Sequence, residues 1–108
     1  MLEERQIADL AAAFVAEGRE DWVGLWEIAR AVELAGGEGA AATRVESLRL
    51  IRALAKEADV RFGSPNRDGS FTAWDLPFEA ALSRIDLEWR KLGRTPSLGD
   101  VVWLEINT

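Results

Sequence analysis

Val60-Arg61-Phe62-Gly63-Ser64-Pro65-Asn66-Arg67-Asp68-Gly69-Ser70-Phe71-Thr72-Ala73-Trp74 is the stretch on which the fold turns. Val60-Arg61-Phe62 alternates apolar and polar residues, the run Gly63–Ser70 is dense in turn formers, and Phe71–Trp74 alternates again. Two short β-prone runs around a Pro/Asn/Asp/Gly loop predict a β-hairpin with a long tip. A hairpin alone is marginal in water, and a stable sheet needs a third strand. The β-branched run Val101-Val102-Trp103-Leu104-Glu105-Ile106 supplies one, pairing with the hairpin or with Trp22–Val23.

Helical patterns lie on both sides of the hairpin. Ile7, Leu10, Ala11, Phe14 and Val15 recur at helical spacing, and Gly18 ends that stripe. Gly24 would weaken a helix begun at Trp22, so an extended Trp22–Val23 piece and a helix from Leu25 are expected. Ile28, Ala31, Val32 and Ala35 form its inner stripe, and Gly36-Gly37-Glu38-Gly39 opens a loop. Thr43 with Glu46 reads as a capping box, starting a helix that buries Val45, Leu48, Ile51, Leu54, Ala55 and Ala58. After the hairpin, Pro77 suits a first helical turn. The helix that follows buries Phe78, Ala81, Leu82, Ile85, Trp89 and Leu92 and ends at Gly93.

The order helix, short strand, helix, helix, hairpin, helix, strand predicts a single α+β domain over residues 1–108. With 48% hydrophobic residues, the chain has enough apolar side chains for a core and is not disordered. It contains no Cys and no His, which excludes a disulfide scaffold and His-based acid–base or triad chemistry. No metal site and no cofactor site are expected; Gly36-Gly37-Glu38-Gly39 lacks the Lys-Ser/Thr of a phosphate loop. Ser47, Ser64, Ser70 and Ser83 have no His to activate them, so no enzyme is expected. The acidic start Met1-Leu2-Glu3-Glu4-Arg5 is not a signal peptide, and no window is a membrane span. The expected location is the cytoplasm.

Three helices followed by a β-hairpin resemble a winged helix-turn-helix domain. The likeness covers roughly residues 2–75, with 76–108 as an added helix and strand. It makes Trp22–Val23 the first strand, Leu25–Ala35 the second helix, Arg44–Ala58 the recognition-position helix and Val60–Trp74 the wing. The Gly36–Ala42 loop departs from the pattern, being long for a DNA-reading turn. The segment from Trp74-Asp75-Leu76-Pro77 through Glu88-Trp89-Arg90-Lys91-Leu92-Gly93-Arg94 to Leu98-Gly99-Asp100-Val101-Val102-Trp103 is similar to small uncharacterised bacterial proteins, which imply no activity.

Charge is unevenly spread over this chain of net charge −6. Residues 1–40 hold nine acids against three bases, residues 41–70 six bases against four acids, and residues 71–108 four bases against six acids. The acidic first two helices suit docking to a basic protein partner, with Trp22, Trp26, Glu27 and Glu33 as candidate contacts. Bacterial immunity proteins and phage-type inhibitors resemble this chain in being small, acidic and free of Cys. The alternative is a winged-helix DNA-binding regulator using Arg44, Arg49, Arg52 and Arg67, against which the low pI of 4.7 weighs. A third reading is a homodimer paired through Val101–Ile106, if that strand lies on a sheet edge. Of the five tryptophans, Trp89 lies on a buried stripe. Trp74 and Trp103 point in or out of strands, and Trp22 or Trp26 is exposed unless all five fill the core.

Overall fold

The computed structural model describes residues 1–36 and 38–108; Gly37, within the expected Gly36–Gly39 loop, lies outside the described residues. The elements are α1 (Glu4–Gly18), β1 (Val23–Gly24), α2 (Leu25–Leu34), α3 (Gly39–Glu57), β2 (Asp59–Pro65), β3 (Phe71–Ala73), α4 (Phe78–Leu92) and β4 (Trp103–Asn107). The strands form one antiparallel sheet in the order β1-β4-β2-β3. The fold is therefore α+β, as the alternation and the helical stripes require.

Alternation along the strands sorts the side chains into two faces. Val23, Leu104 and Phe62 are aligned across three strands and buried, as is Ile106, so this face meets the helices. The core between sheet and helices joins Leu25, Ile28 and Val32 of α2, Leu50, Ile51 and Leu54 of α3, and Ile85 and Trp89 of α4. α1 contributes Ile7, Ala11 and Phe14 and packs along α3. The strand before α2 is Val23–Gly24, so Gly24 ends a strand where it would have weakened a helix. Gly93, at φ +73°, ends α4 as expected.

The start of α3 differs from the capping-box reading. Gly39 opens the helix, and Ala40, Ala41 and Ala42, strong helix formers, place Thr43 and Glu46 inside it. Thr43 is 2% exposed and Glu46 3%. Glu46 accepts the Leu2 backbone N–H at 3.0 Å and pairs with Arg49 at 3.1 Å, while Arg49 donates to the Leu2 carbonyl at 2.6 Å. Both backbone groups of Leu2 are thus held by one turn of α3, and its side chain enters the core. Val45, expected inside, is exposed. Glu46→Ala would leave the Leu2 N–H without its buried partner and is expected to cost about 2 kcal/mol in urea unfolding. Glu57→Ala, on the exposed end of the same helix, is expected to stay within about 0.5 kcal/mol.

The last strand also differs from expectation. The Val102 N–H bonds the Asp100 carbonyl at 2.9 Å, closing a three-residue turn with Val101 at φ +69°. That conformation is strained for a β-branched residue, at about 1–3 kcal/mol, and it delays β4 to Trp103. More consequentially, β4 is an interior strand, bonded to β1 on one side and β2 on the other. The condition for dimer pairing through Val101–Ile106, an edge position, is not met; the edges are β1 and β3.

Candidate functional site

The face of the sheet turned away from the helices carries aromatic side chains where an exposed face is ordinarily polar. Trp103 stands in register between Gly24 of β1 and Gly63 of β2, neither of which carries a side chain of its own. Trp26, in the first turn of α2, uses the space above Gly24. A Cβ there would lie 2.6 Å from its Cδ1 and Nε1 and 3.5 Å from the Trp103 ring. Trp22 stacks on Phe71 with centroids 5.9 Å apart and donates from Nε1 to Glu105 at 3.5 Å. Arg61 pairs with the other Glu105 oxygen at 3.5 Å. Trp22, Trp26, Trp103 and Phe71 are all half-buried.

Two concavities adjoin these rings. One, of about 250 Å³, is lined by Arg19, Glu20, Asp21, Trp22 and Glu105. The other, of about 260 Å³ between α1 and α2, is lined by Phe14, Glu17, Trp26, Glu27, Arg30 and Leu34, with Leu34 79% exposed. Glu27 accepts the Gly24 N–H at 2.8 Å, fixing the entry to α2. Burial raises the Glu17 carboxyl above its ordinary 4.5, and a hydrogen bond shared with Glu27 and repulsion from Glu27 and Asp21 add to it.

Opposite pH behaviour is expected of two carboxyls. Folded Glu17 holds its proton more tightly than in the unfolded chain. Its contribution to stability is therefore gained as pH falls through its raised titration and lost above it. Asp100 is held down to about 2 by the Ser97 N–H, then by Arg94 and the Ser97 hydroxyl. Its stabilisation is complete above its ordinary 3.8 and lost as pH falls through about 2. Carboxyl NMR titration checks both: Glu27→Gln should bring Glu17 down, and Arg94→Gln should bring Asp100 up.

The residues singled out from sequence fare unequally. Trp22, Trp26 and Glu27 are brought to one side of the molecule with Trp103 and Phe71, whereas Glu33 is exposed near the end of α2 and lines neither concavity. Trp89 is core, as expected. Trp74 lies against Phe62, at 6.4 Å between centroids, with the Arg84 guanidinium 3.8 Å above its ring. Among the arginines, Arg44 is bonded to Asp86, Arg49 to Glu46 and Leu2, and Arg52 to both oxygens of Glu79. Arg67 is exposed on the hairpin tip. Alternation of Trp103 and Glu105 against Leu104 and Ile106 was the available signal for the outer face. The pairing of Trp103 between two glycines depends on register and was not legible. Comparison with protein-family models, curated proteins and solved structures finds no match.

Proposed function

We propose that this chain is a non-enzymatic binding protein of the immunity-protein or inhibitor type, acting in the cytoplasm, whose acidic, tryptophan-bearing side docks a basic protein. The observation that supports it best is the conjunction of Trp22, Trp26 and Trp103 on one side with Glu17, Glu20, Asp21, Glu27 and Glu105 around them, five carboxylates against Arg19, Arg30 and Arg61. Tryptophans supply buried anchoring area at interfaces, and lysine or arginine on a partner would both stack on the rings and neutralise the carboxylates. A winged-helix core with its terminal strand inserted beside β1 accounts for the element order. Its DNA-reading use has less support, because Arg49 and Arg52 are engaged with carboxylates and a net charge of −6 opposes a polyanion.

Affinity capture from host lysate at about 50 mM salt should retain a basic protein. With that purified partner, Trp22→Ala is expected to weaken binding about 30-fold, the scale of an interface anchor. Charge reversal at Glu20 and Asp21 should slow association about tenfold at low salt, while Arg67→Ala should leave it unchanged. A partner that is acidic, or binding indifferent to Trp22 and to charge reversal, would overturn the reading. Salt-sensitive binding of random duplex DNA lost in Arg67→Ala would favour the nucleic-acid alternative instead.

A further inference from the structure

Away from the acidic side, the start of α3 and the end of α4 border an open cleft of about 150 Å³ lined by Arg44, Arg90 and Arg94 together with Ala41, Trp89 and Gly93. We propose that this cleft binds a phosphoryl-type oxyanion, independently of the docking face. Three arginines line it from three positions in the chain: α3, the last turn of α4, and the loop beyond Gly93. The charges around it are mixed, and their balance decides the sign. Asp86 binds Arg44 through Oδ1 and Arg90 through Oδ2, the latter at 3.2 Å, so one carboxylate is shared by two cations. Arg94 bonds Asp100 at 2.8 Å. The three lining arginines thus stand against two carboxylates, in a chain whose net charge is −6.

Donor capacity and size point to the ligand class. Each guanidinium has five N–H donors, and the ion pairs leave donors free on Arg90 and Arg94, whose side chains are 59% and 53% exposed. A planar carboxylate is satisfied by one arginine fork, whereas convergent forks from several directions suit a tetrahedral group with three or more acceptor oxygens. A cleft of about 150 Å³ has room for a small oxyanion.

The test is a ¹⁵N–¹H NMR titration of the whole chain with sodium phosphate and, separately, glycerol 3-phosphate, against sodium chloride at equal ionic strength. Saturable shifts of the Ala40, Ala41 and Gly93 amides are expected, with Kd about 1 mM. The double substitution Arg90→Gln with Arg94→Gln, at two surface positions, should raise Kd at least about tenfold. Asp86→Asn removes the competing carboxylate and should lower Kd several-fold. Tighter binding of glycerol 3-phosphate assigns an esterified phosphoryl group, and tighter binding of inorganic phosphate assigns the free ion. Shifts reproduced by chloride, no saturation below about 10 mM, or affinity unchanged in the double variant would overturn the proposal.

Discussion

A chain ending at Asp100 is expected to show no cooperative unfolding transition. Residues 101–108 supply Val102, Leu104 and Ile106, all buried, and the strand that joins β1 to β2. Burying three such side chains contributes about 5–9 kcal/mol. That is comparable to the whole stability of a small domain, about 5–15 kcal/mol. The loss is also one of connectivity. Val23 and Gly24 pair only with Leu104 and Trp103, and the five residues Asp59–Gly63 pair with β4 along its whole length. Without β4, β1 has no partner and β2–β3 remains a lone hairpin, marginal in water. Far-UV circular dichroism through a urea titration should show a sigmoid for the full chain and a sloping, midpoint-free curve for the shortened one. A clean transition in the shortened chain would mean that residues 2–75 hold their own sheet, as the winged-helix likeness implies.

Gly63→Ala is expected to be the most damaging single methyl in the molecule. A Cβ at Gly63 would lie 2.0 Å from the Thr72 carbonyl oxygen and 2.8 Å from the Ala73 Cα. These are backbone atoms of the paired strand, so no rotamer change relieves the clash; β3 must move away from β2. A cost of about 3 kcal/mol follows, within the range for enforced backbone displacement. In a domain of this size that lowers Tm by about 15 °C. The displacement also carries Phe71 off Trp22, whose rings are 5.9 Å apart, so tryptophan emission should shift to the red before unfolding begins. Gly69→Ala is the control. Its Cβ meets nothing within 4 Å, and only its φ of +89° opposes the change, at about 1 kcal/mol. Equal effects at the two glycines would show that close approach at Gly63 does not govern the hairpin.

Local signals in the chain were sufficient for the elements. Ile7, Ala11 and Phe14 mark one helix face, and Ala81, Leu82, Ile85 and Trp89 another. Because side-chain periods of 3.6 and 2 follow from backbone geometry, such stripes are readable without knowing what covers them. The boundary errors also have local causes. Thr43 and Glu46 have capping-box spacing, but the alanines before them cost nothing to add to the helix, and burial then gave Glu46 a different partner in Leu2. Val101 belongs by composition to the final strand, yet the turn closed by the Asp100 carbonyl holds it at positive φ.

The candidate site was legible only as parts. Trp22, Trp26 and Glu27 were adjacent in the chain, and the acidity of residues 1–40 was a count. Trp103 and Phe71 joined them through strand register, a relation between residues dozens of positions apart. Composition and periodicity specified an α+β domain without Cys or His chemistry, because they report on each residue's own backbone and on the charge it brings. Tertiary structure alone decided that the last strand is interior, that Trp103 lies between two glycines, and that Arg44, Arg90 and Arg94, each paired with a carboxylate, line one cleft. Those outcomes depend on which surfaces meet, and long-range pairing is set by the joint packing of all elements rather than by the propensity of any one.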